Sequence, residues 1–231
     1  MSKQQVAEAL AARVKDGDVI GIGSGSTVEL ALVEIGKRVK QDGLNVKGVP
    51  TSLRSAKVGA ESGIEILNPS SAPSVSWAFD GADEVDPDFN MIKGNGAAML
   101  SEKIMARRAG SLVIIVTEDK LVKSLGEKFA LPIEVVPEAE SVVLSALKEL
   151  GAESAEVRMS SEKYGPLITE HGNIVIDAKI PGLSASHDAQ LNALTGVVDT
   201  GLFVDLTQEV LVSKADGVYR LTPGKEEKIS S

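Results

Sequence analysis

Over the first 130 residues, short apolar runs and amphipathic helical patterns take turns with a regularity that leaves few folds open. Residues 18–23, 45–49, 74–79 and 111–116 read as buried strands, and residues 4–14, 27–39, 52–62 and 97–109 as helices between them. In the first helix Val6, Ala9, Leu10 and Val14 recur near the 3.6-residue period that sets one face against a core. Strands separated by helices of this length pair in parallel, with helices covering both faces of the sheet. The expected fold class is α/β: a Rossmann-like, doubly wound, mostly parallel sheet.

From Leu131-Pro132 onward the texture changes. Strands at 133–136, 156–159, 173–178 and 197–204 alternate with helices at 139–150 and 186–194, while Tyr164-Gly165-Pro166 and His171-Gly172-Asn173 supply turns. Such a run suits a second, smaller α+β domain on an antiparallel sheet. The boundaries expected are residues 1–130 plus 205–231 for the Rossmann-like domain and 131–204 for the smaller one. Residues 209–214 and 218–222 read as edge strands, and the tail 224–231 as polar and frayed.

Charge narrows the partners. With 33 acidic against 24 basic side chains the net charge is −9, and aromatic residues make up only 3%, so the basic face and stacking rings of a nucleic-acid binder are missing. Charges such as Asp16, Asp18 and Lys57 interrupt every apolar run, which excludes a membrane-spanning helix of about 18 apolar residues. The start Met1-Ser2-Lys3-Gln4-Gln5 leads into an amphipathic helix rather than the continuous apolar stretch of a signal peptide, and there is no cysteine. Disulfides, thiolate metal sites and thiol nucleophiles drop out together, and the expected location is cytoplasmic. A phosphorylated ligand would need a local positive site set against this acidic field.

Three segments carry groups suited to chemistry. Gly21-Ile22-Gly23-Ser24-Gly25-Ser26-Thr27 lies between a strand and a helix. Its glycines allow a tight turn, N–H groups at a helix start hold anions, and Ser26 and Thr27 add hydroxyls. It is neither a Walker A loop nor a clean G-x-G-x-x-G, so a phosphate loop and an ordinary capped turn both stay open. Asp80-Gly81-Ala82-Asp83-Glu84 follows the strand at 74–79, where open α/β sheets bind ligands. Carboxylates there can grip sugar hydroxyls, move protons or hold Mg²⁺, or can form a solvated acidic turn with Glu84 and Asp86 as members.

Lys93-Gly94-Asn95-Gly96 precedes the helix that carries Glu102. Glu102 shares its side with Ala98, Met99, Met105, Ala106 and Ala109, while Lys103, Arg107 and Arg108 point elsewhere. A carboxylate partly buried among small apolar side chains becomes a better base. If Ala97, Leu100 and Ile104 form the core face instead, Glu102 is exposed. Lys120, after the strand at 111–116, can reach a phosphate or stand in solvent. His171 and His187 sit in turn-like or cap-like contexts without metal spacing, and Trp77 reads as core.

In order and spacing, Gly23-Ser24-Gly25-Ser26-Thr27, Asp80-Gly81-Ala82-Asp83-Glu84, Lys93-Gly94-Asn95-Gly96-Ala97-Ala98 and Glu102-Lys103-Ile104 resemble the ribose-5-phosphate isomerase A family. Leu131-Pro132-Ile133-Glu134-Val135-Val136-Pro137, Thr169-Glu170-His171-Gly172-Asn173 and Gly196-Val197-Val198 with Gly201-Leu202-Phe203 extend the resemblance over nearly the whole chain. Ser24 stands where threonine is commoner, Asn95 where glycine is frequent, and Thr195 where proline is usual.

The resemblance implies an aldose–ketose isomerase that interconverts D-ribose 5-phosphate and D-ribulose 5-phosphate through an enediolate, in the non-oxidative branch of the pentose phosphate pathway, with no cofactor and no metal. It implies Glu102 as the base, Asp80 as the group that assists ring opening and handles hydroxyl protons, and Asp83 with Lys93 as groups that bind and polarise the C1–C2 oxygens. Ser24, Gly25, Ser26 and Thr27, with Lys120 and Lys3, are implied as the grip on the sugar phosphate. Gly81, Ala82, Gly94, Asn95 and Gly96 are implied as further substrate-binding positions. Catalysis would belong to the larger domain, and a homodimer or homotetramer would form through the smaller one. The partner is a small-molecule sugar phosphate, with neither nucleic acid nor membrane involved.

Overall fold

Val28, Ala31, Leu32 and Ile35 are fully buried along one side of a long helix, which is how the apolar period read from the sequence becomes structure. The protein is described by a computed structural model over residues 2–230. In chain order its helices are α1 (Lys3–Ala11), α2 (Ser26–Asp42), α3 (Leu53–Glu61), α4 (Met99–Arg108), α5 (Glu140–Glu149) and α6 (His187–Asn192). The first strands are β1 (Val19–Ile22), β2 (Lys47–Pro50), β3 (Glu65–Ile66), β4 (Trp77–Asp80), β5 (Glu84–Val85) and β6 (Met91–Ile92). There follow β7 (Leu112–Thr117), β8 (Leu131–Val135), β9 (Ser154–Val157) and β10 (Ile174–Lys179). The last are β11 (Val197–Thr200), β12 (Leu202–Phe203), β13 (Glu209–Lys214), β14 (Gly217–Thr222) and β15 (Lys225–Ser230). The chain divides into two compact units, one of Met1–Ala82, Ser101–Lys120 and Leu206–Ser231, the other of Asp83–Leu100 and Leu121–Asp205.

The first unit is built on an eight-stranded sheet in the order β15-β14-β13-β7-β4-β1-β2-β3. From β3 through β13 every pairing is parallel, and β14 and β15 add antiparallel strands. Leu10 of α1, Leu32 and Ile35 of α2, Ile20, Phe79 and Ile115 meet in one core; each such side chain contributes about 1.5–3 kcal/mol of transfer free energy. A Cβ on Gly21 would fall 2.6 Å from both Ala78 Cβ and Met105 Sδ, so the bare glycine lets α4 lie directly on β1. At the side of the sheet, Glu209 accepts hydrogen bonds from Arg13 and Arg220. Burial opposes its ionisation, but those guanidinium bonds outweigh it and hold its carboxyl below the usual range.

The winding fixes where a ligand can sit. The chain leaves β1 for β2 and β3 on one side, then returns to β4 on the other. In open α/β sheets such a reversal of strand order, here at the carboxyl ends of β1 and β4, is where ligands bind.

The second unit holds a four-stranded antiparallel sheet, β11-β8-β10-β9, and a three-stranded one, β12-β6-β5. Leu131, Ile133 and Val135 of β8 pack with Val143 and Leu147 of α5, Ile174 and Ile176 of β10, and Leu191 of α6. Glu134 of β8 is fully buried and accepts hydrogen bonds from Thr169 Oγ1 and Asn173 Nδ2, both at 2.8 Å, which pins the 169–173 turn to the sheet.

Three expectations need correction. Residues 209–214 and 218–222 form not edges but interior strands, because β13 lies between β7 and β14 with Val210, Leu211 and Val212 buried, and β14 lies between β13 and β15. The tail does not fray: Lys225–Ser230 pairs with β14 as a fully exposed, charge-rich edge, a composition that discourages edge-to-edge association. Ser231, the last residue of that tail, and Met1, which opens the N-terminal run, lie outside the described residues. Residues 197–204 split at Gly201 into β11 and β12, which belong to different sheets. No helix among the described residues is long and apolar enough to cross a membrane.

Candidate active site

The carboxyl edge of the first unit's sheet is assembled by glycine. Gly23 N donates to Phe79 O at 2.9 Å, and a Cβ on Gly23 would fall 2.2 Å from Asp80 Cγ. The loop after β1 can therefore lie directly against the end of β4. Asp80 is 3% exposed, and its Oδ1 accepts from Ser24 N at 3.1 Å and Gly81 N at 2.8 Å. These main-chain donors offset the cost of burying a carboxylate. Ser24 Oγ donates to Ser52 Oγ at 2.7 Å and shares a 3.0 Å bond with Thr51 Oγ1, which ties the loop to the end of β2.

Gly25, at φ 116°, turns the chain into α2, whose start carries no side-chain cap. Lys3 Nζ donates to the exposed Ser26 Oγ at 2.8 Å. A glycine turn, a helix start without an N-cap side-chain bond, hydroxyls and an ammonium group are gathered there, a combination of groups suited to an anion. Lys120 closes a short 3₁₀ turn after β7 and is half-buried.

Helix α4 resolves the alternative left open by the sequence. Glu102 is 6% exposed and Met105 and Ala106 are buried, whereas Ile104 is 54% exposed, so the side bearing Glu102 faces inward. Lys103, read as pointing elsewhere, is also buried.

In the second unit Asp83 N donates to Ile92 O at 2.8 Å, and Asp83 Oδ2 accepts from Asn95 N at 3.0 Å. Lys93 is 3% exposed, with Nζ 5.4 Å above the centre of the Phe203 ring. Its N–H donates to Gly201 O at 2.9 Å, and a Cβ on Gly201 would fall 2.0 Å from Lys93 O, so only glycine fits there. Gly94 has φ 104° and Ala97 φ 56°, which bends the 93–97 segment sharply before α4. Asn95 works through its main chain and does not have a positive φ, which explains why a side chain is tolerated where glycine is frequent.

The sequence thus marks Asp80, Gly81, Ala82, Ser24 to Thr27, Lys3, Glu102 and Lys120 in the first unit, and Asp83, Lys93, Gly94, Asn95 and Gly96 in the second. Glu84 departs from the solvated turn considered for it. It is fully buried, and its two oxygens accept from the main-chain N–H groups of Gly126, Lys128 and Phe129. Those bonds commit the carboxylate to fixing the 126–129 loop and leave it unsuited to a cation. Among the described residues no group of three or more His, Cys, Asp or Glu side chains has a metal-holding arrangement. Sequence reasoning also missed Arg158, whose guanidinium reaches the main chain at 94–95, because nothing local links positions so far apart.

The doubly wound sheet, its glycine loop and its buried carboxylates define an α/β enzyme. The family model of ribose 5-phosphate isomerase A (phosphoriboisomerase A) matches residues 47–217. The ribose-5-phosphate isomerase A of a Synechococcus species is 43% identical over 93% of this chain and 94% of its own. The solved ribose 5-phosphate isomerase A of Methanocaldococcus jannaschii superposes with a TM-score of 0.91 at 40% identity, covering 95% of this chain and 97% of its own. A D-ribose-5-phosphate isomerase solved in complex with phospho-erythronic acid gives 0.92 at 38% identity, with the same coverage. The chain belongs to the ribose 5-phosphate isomerase A family.

Proposed function

We propose that the protein interconverts D-ribose 5-phosphate and D-ribulose 5-phosphate through an enediolate, with Glu102 moving the proton between C2 and C1. The observation that carries this reading is the burial of ionisable side chains at motif positions: Asp80 and Lys93 at 3% exposure and Glu102 at 6%. Burying charged groups costs stability; Glu84 and Glu134 are buried to fix a loop and a turn, whereas Asp80, Lys93 and Glu102 fall together on the motif positions, which supports a chemical role for them. Asp80, aimed by Ser24 N and Gly81 N, assists opening of the furanose ring and handles hydroxyl protons. Asp83 and Lys93 hold the C1 and C2 oxygens, and the lysine charge offsets the oxyanion that develops there. Ser24, Gly25, Ser26 and Thr27, with Lys3 and Lys120, hold the phosphate; Gly81, Ala82, Gly94, Asn95 and Gly96 line the sugar.

The reaction moves a proton and redistributes electrons within one molecule, so it requires no redox cofactor. The test is formation of ribulose 5-phosphate from ribose 5-phosphate with EDTA present. Turnover unchanged by EDTA is expected. Activity lost to EDTA and restored by Mg²⁺ would turn the acidic segment into a metal site.

Gly23→Ala gives a second check. Its methyl group would occupy the space of the Asp80 carboxyl, so a stability loss of about 1–3 kcal/mol is expected, with kcat falling as Asp80 is displaced. A folded variant with native kcat would remove Asp80 from the chemistry.

We assign catalysis to residues 1–130 plus 205–231, a stretch that takes in Asp83 and Lys93 although 83–100 belong to the second unit, and assembly of a homodimer or homotetramer to 131–204. Exposed Met159, Tyr164 and Ile168 support the latter. We assign the protein a cytoplasmic place in the non-oxidative pentose phosphate branch.

A further inference from the structure

We infer that Arg158, aimed by Asp177, is a positioning residue for the isomerisation: it sets the Gly94–Asn95 peptide plane that orients Asp83. The inference rests on the assignment of Asp83 to the reacting oxygens. Arg158 follows β9, and its own main chain is fixed, with its N–H donating to Val175 O and its carbonyl accepting from Leu167 N, both at 2.8 Å. The side chain is 16% exposed. Nε donates to Asp177 Oδ2 at 2.8 Å and Nη2 to Asp177 Oδ1, a two-pronged pairing that fixes the guanidinium plane. Nη1 then donates to Gly94 O at 2.9 Å and to Asn95 O at 3.0 Å.

Gly94 O and Asn95 N belong to one peptide unit, and in a trans peptide the C=O and N–H point in opposite directions. Holding the carbonyl on Arg158 therefore directs the N–H the other way, and that N–H donates to Asp83 Oδ2 at 3.0 Å. Gly94 sits at φ 104°, where glycine's freedom would let the plane rotate if nothing held it. A hydrogen bond accepted by the carbonyl also polarises the N–H of the same unit, which strengthens its bond to the carboxylate. Asp177 balances the guanidinium charge, so the clamp aims Asp83 without adding a second cation beside Lys93.

A cavity of about 240 Å³ whose lining includes Asp83, Asn95, Arg158 and Asp177 makes the idea testable by replacement. Arg158→Ala is expected to lower kcat about 10²-fold, the scale of a small misplacement of reacting groups, with KM changing no more than about threefold. Guanidinium at tens of millimolar should restore at least about a tenth of the lost kcat, whereas equal sodium chloride should not. A folded Arg158→Ala protein with native kcat, or one whose loss lies entirely in KM, would overturn the inference, as would an activity loss that guanidinium leaves untouched. Should Arg158→Ala fail to fold, Asp177→Asn carries the test by the same kcat criterion, since it keeps the guanidinium and loosens its aim. Asp83→Asn is measured alongside. Native kcat there removes Asp83 from the reacting oxygens, whereas a collapse there with native Arg158 variants removes the clamp alone.

Discussion

Glu102→Gln is expected to lower kcat for ribose 5-phosphate by about 10²–10⁴-fold, the usual contribution of a positioned base, while the protein stays folded. The substitution keeps the shape of the side chain and removes its capacity to accept a proton. Because Glu102 is 6% exposed and lies beside the buried Met105 and Ala106, exchanging a carboxylate for an amide leaves the packing of α4 intact. Any loss of rate then belongs to chemistry. KM should change little, since the ground-state grip on the sugar phosphate is assigned elsewhere. A loss of 10³ corresponds to about 4 kcal/mol of transition-state stabilisation. Exchange of the substrate's C2 hydrogen with deuterated solvent, followed by NMR, should fall in parallel, because both readouts need the same abstraction. A folded variant that keeps more than about a tenth of native kcat would move the base to Asp80 or Asp83.

The first unit was legible in the sequence because its elements obey local rules. The helix that became α2 declares itself through Val28, Ala31, Leu32 and Ile35, and β1, β4 and β7 through uninterrupted apolar runs. What escaped depends on partners distant in the chain. A strand as polar as Lys225–Ser230 owes its form to main-chain bonds with β14, and polarity alone reads as fraying. The two-residue strands β3, β5 and β6 are too short to show a period.

The site divides the same way. Motifs expose Asp80 and Lys93 beside glycines that close approach requires, Gly23 against Asp80 and Gly201 against Lys93, while Asp83 and Glu102 show only through their place in the same motifs. The groups that fix the surrounding loops left no signal. Glu84 looks like one more acid in an acidic turn until the N–H groups of Gly126, Lys128 and Phe129 are found on its oxygens. Arg158 falls in the stretch that reads from sequence as the strand 156–159 and passes there for one more charge, and its meaning lies in carbonyls at Gly94 and Asn95. Residue types announce what can react, whereas aim is a property of tertiary contacts.

Removing the substrate's phosphate tests whether aim extends to the far end of the sugar. Ribose is expected to react with kcat/KM lower than ribose 5-phosphate by about 10⁴-fold. Charge-assisted hydrogen bonds contribute about 1.5–3 kcal/mol each, so three such contacts supply about 4.5–9 kcal/mol, a range whose lower part holds the ~5.4 kcal/mol of a 10⁴-fold rate difference. Lys3 and the Ser24 to Thr27 loop are disposed to make them, with Lys3 Nζ already 2.8 Å from Ser26 Oγ and the start of α2 uncapped by any side chain. If that energy only anchored the substrate, the deficit would lie wholly in KM. If it also holds C1 and C2 against the base, kcat for ribose should fall as well, because an unanchored sugar samples many unproductive poses. Lys3→Ala should reproduce a fraction of the effect, raising KM for ribose 5-phosphate about tenfold, with no change in the already poor reaction of ribose. Ribose turning over within about tenfold of its 5-phosphate would reduce the glycine loop to a turn that merely starts a helix, and the cradle would have to be sought elsewhere.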